Sequence, residues 1–222
     1  MFHRHARLLA ALAAAAVLTA AAIAVSASGG ARATNPEPPP VSTLFRGIPE
    51  HDGVLGDPRA PVTLTEYVDL QCPICAAASE QTLPWLVETY VRTGKAKLEL
   101  RTLHFIGPDS ERAARVAAGA QAQGHLWPFV EAFYAVQGGE NAGYVTDGFL
   151  RSVAKAAGVD AGKALAAADG EPALRLLERA NADATRLGVT STPTFTVARG
   201  DGAPKVIGSG VLKRTAFERA LR

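Results

Sequence analysis

Residues Cys72-Pro73-Ile74-Cys75 constrain the fold more than any other stretch, because they hold both cysteines of the 222-residue chain and follow directly on a strand-like run. From Val62 to Val68, Val62, Leu64, Glu66 and Val68 fall on one face and Thr63, Thr65 and Tyr67 on the other, the period of a β-strand. Pro73 then stands where the first turn of a helix tolerates proline. Ala76, Leu83, Leu86, Val87, Tyr90 and Val91 follow at helical spacing, and Gly94 suits the stop. Pro84 lies inside this helix and is expected to kink it. Lys95 to Phe105, with Leu98, Leu100 and Leu103, reads as a second strand. A strand-helix-strand unit implies parallel pairing, with the cysteines at its first turn.

Three chemistries compete for that cysteine pair. As a structural staple it is poor, since closing so short a loop stabilises by only about 2 kcal/mol, against nearly 5 for about 100 residues. A zinc site needs four ligands, and there is no second Cys-x-x-Cys pair. His3 and His5 lie near the N-terminus, and His51, His104 and His125 are not paired at ligand spacing. No metal and no cofactor are expected. Redox exchange is the chemistry that the spacing favours.

The N-terminus bears on the compartment. Arg4 and Arg7 precede an uncharged run from Leu8 to Val25, followed by small residues and Ala31-Arg32-Ala33. Basic, then apolar, then small and cleavable is the order of a signal peptide. The run is also just long enough to serve as a membrane anchor, so residues 1–33 are read as one or the other. Either reading exports the rest of the chain, to the bacterial periplasm or cell envelope, where disulfides persist. Three of the 23 Lys and Arg residues lie in 1–33, leaving 20 against 21 acids, a formal charge of −1. With no basic stripe carrying interleaved aromatics, nucleic acid is not an expected partner. Residues 34–45, with four prolines, read as an extended linker. Residues 46–222 are a normal size for one domain.

Beyond Phe105 the pattern turns helical. Ser110 to Gln123 is alanine-rich, and Leu126 to Gln137 carries the stripe Leu126, Phe129, Val130, Phe133 flanked by Trp127 and Tyr134. Thr146 to Ala157 reads as a further helix. Pro172 to Leu187 repeats Ala173, Leu177, Ala180, Ala184 and Leu187 on one face and ends at Gly188. The aromatics are read as core. Thr194 to Ala198 and Lys205 to Ile207 are then joined by a Gly-Asp-Gly turn as a hairpin, and Leu212 to Leu221 closes the chain as a helix.

A strand ending in Glu-Tyr-Val-Asp-Leu-Gln-Cys72-Pro-Ile-Cys75, a helical block, then Gly188-Val-Thr-Ser-Thr192-Pro193-Thr-Phe195 with a final hairpin and helix, resembles the DsbA-like thiol:disulfide oxidoreductases. The resemblance spans 46–222, including Gly56-Asp57-Pro58. It implies an α/β, thioredoxin-like fold with an α-helical insertion at about 108–188. It also implies a cis Thr192-Pro193 bond facing the cysteines, where the backbone of Thr192 pairs with an extended substrate segment.

Cys72, at a helix N-terminus, is expected to be partly thiolate and to act as the nucleophile. Cys75, one turn later, would resolve the mixed disulfide. Pro73 and Ile74 offer no side-chain donor, so the thiolate should be held less strongly than in family members with histidine there. Glu66 shares a face with Val62, Leu64 and Val68, six residues before Cys72, the offset at which thioredoxin-like proteins bury an acid beneath the second cysteine. Burial would raise its pKa and let it exchange a proton with Cys75; the alternative is a solvated or salt-bridged acid at a sheet edge. Asp69 is read as a turn residue, and His51 and His104 as surface or structural. The expected partners are exported proteins with cysteine pairs and a membrane redox partner. Oxidase, reductase and isomerase remain open, as does a non-catalytic chaperone or peptide-binding module with a structural disulfide.

Overall fold

The computed structural model describes residues 36–39, 41 and 43–222. The apolar run from Leu8 to Val25, read as signal peptide or anchor, lies outside them. A six-stranded sheet runs in the order β1-β2-β4-β3-β5-β6. Its strands are β1 (Glu50–His51), β2 (Val54–Leu55), β3 (Val62–Asp69), β4 (Lys97–Leu103), β5 (Thr194–Arg199) and β6 (Lys205–Ser209). β3 pairs parallel with β4, as strand-helix-strand connectivity requires, and antiparallel with β5; β5 and β6 form the expected hairpin. β1 and β2 add a short antiparallel edge beside β4. With two residues each, they are too short to carry a period in the sequence.

The helices are α1 (Pro73–Leu86), α2 (Pro108–Gln121), α3 (Leu126–Tyr134), α4 (Asp147–Ala156), α5 (Ala161–Ala167), α6 (Glu171–Arg186) and α7 (Arg214–Leu221). α2 to α6 lie between β4 and β5, the order of a thioredoxin-like fold with inserted helices. α1 begins with Pro73 at its first turn and ends two residues after Pro84, continuing as a π-helical turn from Val87 to Val91. Proline lacks an N–H and crowds the carbonyl four residues back, which disturbs regular α geometry at this point. Gly94 and Gly188 supply the left-handed stops, at φ 68° in each case. α5 was not anticipated from the sequence.

Both faces of the sheet are covered. On one, Leu64, Val68, Leu98 and Leu100 join the main core, and Phe195 meets Phe217 of α7 edge-on, which in turn packs near Trp85 of α1. On the other, Tyr67 and Leu103 pack against Ala180 and Ala184 of α6 and against Val189. The α3 stripe of Leu126, Phe129, Val130 and Phe133 is buried as expected. Trp127 is buried with it, its indole N–H donating to the Gly53 carbonyl at 3.0 Å. β3 is therefore central, and its C-terminal end, the start of α1 and the start of β5 meet at one edge of the sheet.

Candidate active site

β3 delivers the chain into a tight turn from Asp69 to Cys72, closed by the Cys72 N–H donating to the Asp69 carbonyl at 3.0 Å. Cys72 is the cap of α1. Its carbonyl accepts from the N–H groups of Cys75 and Ala76, and its own backbone is extended. The two thiols are thus held one turn apart on a helix start, both in the free form. Cys72 keeps 7% of its surface accessible and Cys75 none. Only the first can meet a macromolecular partner.

Their acidities diverge. The Cys75 thiol, donating to the Cys72 sulfur, is the largest influence lowering the Cys72 pKa, to about 6; Thr192 and the N–H groups of Cys75 and Ile74 lower it further, while burial opposes them. Both N–H groups belong to the first turn of α1, where the positive end of the helix dipole favours an anion. Burial first, and then the proximity of Cys72, push the Cys75 thiol far upward. An easily ionised thiol thus lies beside one held protonated.

Thr192-Pro193 is cis. The Cys72 thiol donates to the Thr192 carbonyl at 3.4 Å, so this segment faces the cysteines as the resemblance implied. The backbone N–H of Thr192 meets no acceptor among the described residues. Gly210, at the end of β6, donates to the Pro193 carbonyl at 2.8 Å and fixes the segment from behind.

Glu66 is buried, not at a solvated sheet edge. It lies on the face covered by α1, between Leu100 of β4 and Phe195 of β5. Desolvation pushes its carboxyl up to about 8, and the charge of Glu131 adds to the effect. No hydrogen-bond donor reaches it among the described residues.

Four residues hold this site in ways the sequence did not show. Asp69 is a turn residue, as expected, but fully buried. Its carboxyl accepts from Gln71 N–H at 2.9 Å, Ser110 hydroxyl at 2.6 Å and Ile106 N–H at 3.1 Å, latching the active-site turn to the start of α2. Gln71 is also buried, donating to the Tyr144 hydroxyl and accepting from Asn141 N–H. Gln137, just past α3, donates to the carbonyls of Leu70 at 2.6 Å and Cys72 at 3.2 Å. Glu131, on α3, accepts a hydrogen bond from Ser79 of α1. The turn bearing Cys72 is therefore held largely by residues between β4 and β5, most of them in loops. His104 bonds Asn181, a structural contact, and His51 is exposed. Among the described residues no cluster of His, Cys, Asp and Glu could hold a metal ion.

Comparison with known proteins agrees with this geometry. The family model described as thioredoxin matches residues 49–200. The probable disulfide bond formation protein D of Bacillus anthracis is 34% identical over 103 residues, 46% of this chain and 48% of that protein. The chain thus spans about half the length of the curated relatives it matches. Among solved structures, oxidised BdbD from Bacillus subtilis superposes with a TM-score of 0.67 at 22% identity, covering 83% of this chain and 95% of that one. DsbA2 of Pseudomonas aeruginosa superposes at 0.62 with 25% identity, covering 79% and 95%.

Proposed function

The chain belongs to the thioredoxin family, and on that premise we propose that it is a DsbA-like thiol:disulfide oxidoreductase acting through Cys72 and Cys75 on cysteine pairs of exported proteins. The observation that carries this reading is the asymmetry of the pair at the start of α1: a thiol that keeps an edge at the surface, with a pKa of about 6, beside a fully buried one raised far above its ordinary range.

In the reducing direction the Cys72 thiolate attacks a substrate disulfide, forming a mixed disulfide and expelling one substrate thiolate. Cys75 then gives up its proton and attacks the Cys72 sulfur, closing the Cys72–Cys75 bond and releasing the second substrate thiolate. Oxidation of a substrate dithiol runs these steps in reverse. Glu66, buried beneath α1, exchanges the proton with Cys75. The backbone of Thr192 beside cis-Pro193 receives an extended substrate segment as an added strand, its free N–H donating to it. Ile74, 48% exposed between the cysteines, offers that segment an apolar contact.

The site of action follows from residues 1–33, which export the domain, and a membrane redox partner resets the couple. Among the described residues no helix is long and apolar enough to cross a membrane. The direct test is insulin reduction by dithiothreitol, which this protein should accelerate and its Cys72→Ser variant should not; no acceleration by the wild type would refute the assignment. The reduction potential of the Cys72/Cys75 couple, set against that of the compartment, then decides between disulfide donor and reductase.

A further inference from the structure

The Cys72–Pro73 peptide has no N–H, because proline supplies none, so only its carbonyl can fix how this peptide is turned. That carbonyl accepts from the N–H groups of Cys75 at 3.1 Å and Ala76 at 3.3 Å, the first helical bonds of α1. A third donor comes from outside the helix, the Gln137 side-chain amide at 3.2 Å. The same amide nitrogen donates to the Leu70 carbonyl at 2.6 Å. On the opposite edge of that Leu70–Gln71 peptide, the Gln71 N–H donates to the Asp69 carboxyl at 2.9 Å, so the peptide is pinned from both sides. Three residues before Gln137, the Tyr134 hydroxyl reaches the Asp69 carbonyl at 3.5 Å. The carbonyls of Asp69, Leu70 and Cys72 thus all receive a donor from the C-terminal end of α3 or the residues just past it. That end is itself anchored: Phe133 meets Phe149 edge-on with ring centroids 5.2 Å apart, and Tyr144 meets Phe149 in the same way at 4.9 Å. The turn is held against a packed neighbour.

We infer that Gln137 is a positioning residue that keeps the carbonyls of Leu70 and Cys72 turned toward the end of α3, leaving the N–H end of α1 to face the Cys72 sulfur. This rests on the reading of Cys72 as nucleophile and deepens it. A carbonyl oxygen is the negative end of its peptide dipole and opposes a thiolate, whereas the N–H groups of Ile74 and Cys75 favour one. Without the amide, the Leu70 carbonyl loses its side-chain donor and the Cys72 carbonyl keeps only its helical bonds. Both peptides then gain freedom to tilt, and the first turn of α1 tilts with the second of them. Gln137 touches neither sulfur. It sets how readily Cys72 gives up its proton, and through that the balance between dithiol and disulfide, since a more stable thiolate favours the dithiol. The ionisable groups around the turn are Cys75 of α1, Glu66 and Asp69 of β3 and Tyr134 of α3. Substituting Gln137 removes none of them.

The test is Gln137→Met, which matches the length of the side chain and donates nothing. Iodoacetamide alkylation of the reduced variant should move from a midpoint of about 6 to about 7. Equilibration with glutathione gives a second readout, in which the dithiol and glutathione disulfide interconvert with the Cys72–Cys75 disulfide and two glutathione thiols. At pH 8 the variant should lie about tenfold further toward its disulfide, because an acid about tenfold weaker loses that much thiolate stabilisation of the dithiol. At pH 5, where Cys72 is mostly protonated in both proteins, the two equilibria should nearly coincide. A residue that only braces the fold would lower the unfolding midpoint in denaturant and leave the alkylation midpoint near 6. That outcome overturns the inference, as does a glutathione shift of equal size at both pH values. The wild type, run alongside, separates the two ideas. If it titrates as an ordinary thiol, the reading of Cys72 as a readily ionised nucleophile falls and takes this inference with it; if it titrates near 6 and Gln137→Met does too, only the role of Gln137 falls. Should Gln137→Met fail to fold, Gln137→Asn keeps an amide that is one methylene too short to span both carbonyls. Its midpoint should also rise, and an unmoved midpoint overturns the inference.

Discussion

The Cys72 sulfur lies 3.4 Å from the carbonyl oxygen of Thr192, a residue 120 positions further along the chain. In the dithiol form that carbonyl is occupied by the Cys72 thiol. Once Cys72 ionises it has no proton to offer, and the carbonyl becomes free to accept from the backbone N–H of a bound segment. On the role proposed for Thr192, ionisation of the nucleophile also frees the carbonyl that would receive an added strand.

Thiolate formation should therefore be visible as a titration. Alkylation of the reduced protein by iodoacetamide is expected to rise with pH about a midpoint near 6, set by Cys72, with Cys75 unmodified while the protein is folded. Peptide mapping assigns the label. A midpoint in the ordinary range of a free thiol would mean that the start of α1 does not hold the anion.

Removing the resolving thiol should trap partners. Cys75→Ser leaves Cys72 accessible and takes away the group that closes the disulfide, so mixed disulfides with exported proteins should accumulate on non-reducing gels. Cys72→Ser should trap none, since Cys75 is fully buried. Trapping that needs Cys75 would reverse the two roles.

How much of this was legible depended on whether a signal was local. The cysteine pair and Thr192-Pro193 are motifs, and strand alternation alone placed Glu66 on the face that α1 covers. Alternation also put Asp69 on the opposite face, but its partners Ile106 and Ser110 arrive after β4, where no pattern marks them. Glu131 adjoins an apolar stripe on α3 and looks like any helix-surface acid. Nothing in its neighbourhood announces Ser79 or Glu66, dozens of residues earlier. α5 is about two turns, mostly alanine, too short for a period. Its one cue was the cap, where Asp160 accepts from the Lys163 N–H at 3.0 Å.

The packing of that helix makes a prediction opposite to propensity. Alanine is normally about 1 kcal/mol better than glycine inside a helix. A Cβ on Gly119 of α2, however, would stand 2.5 Å from the Ala164 carbonyl oxygen and 2.7 Å from its Cα, both backbone atoms of α5. Gly119→Ala should therefore destabilise the protein by roughly 1–3 kcal/mol, the usual cost of overpacking. Denaturant unfolding checks it; an unchanged or higher midpoint would show that the α2–α5 contact is looser than it stands.

Glu66 should make the fold less stable as pH rises. Its carboxyl moves from the ordinary 4.5 up to about 8 in the folded state. Below about pH 4.5 the group is protonated whether the chain is folded or not, and burying it carries no ionisation penalty. Between 4.5 and 8 the unfolded chain ionises and the folded one does not, so unfolding gains about 1.4 kcal/mol per pH unit, on the order of 5 kcal/mol by pH 8. Glu131, raised by burial as well, adds to the same slope. Glu66→Gln keeps the side-chain volume and removes this contribution. It should match the wild type near pH 4.5 and exceed it by several kcal/mol at pH 8. Denaturant unfolding of the two proteins across that range reads the difference. A gap that stays constant with pH would show that Glu66 keeps an ordinary acidity in the folded protein, without the raised basicity that suits it to hold a proton from Cys75.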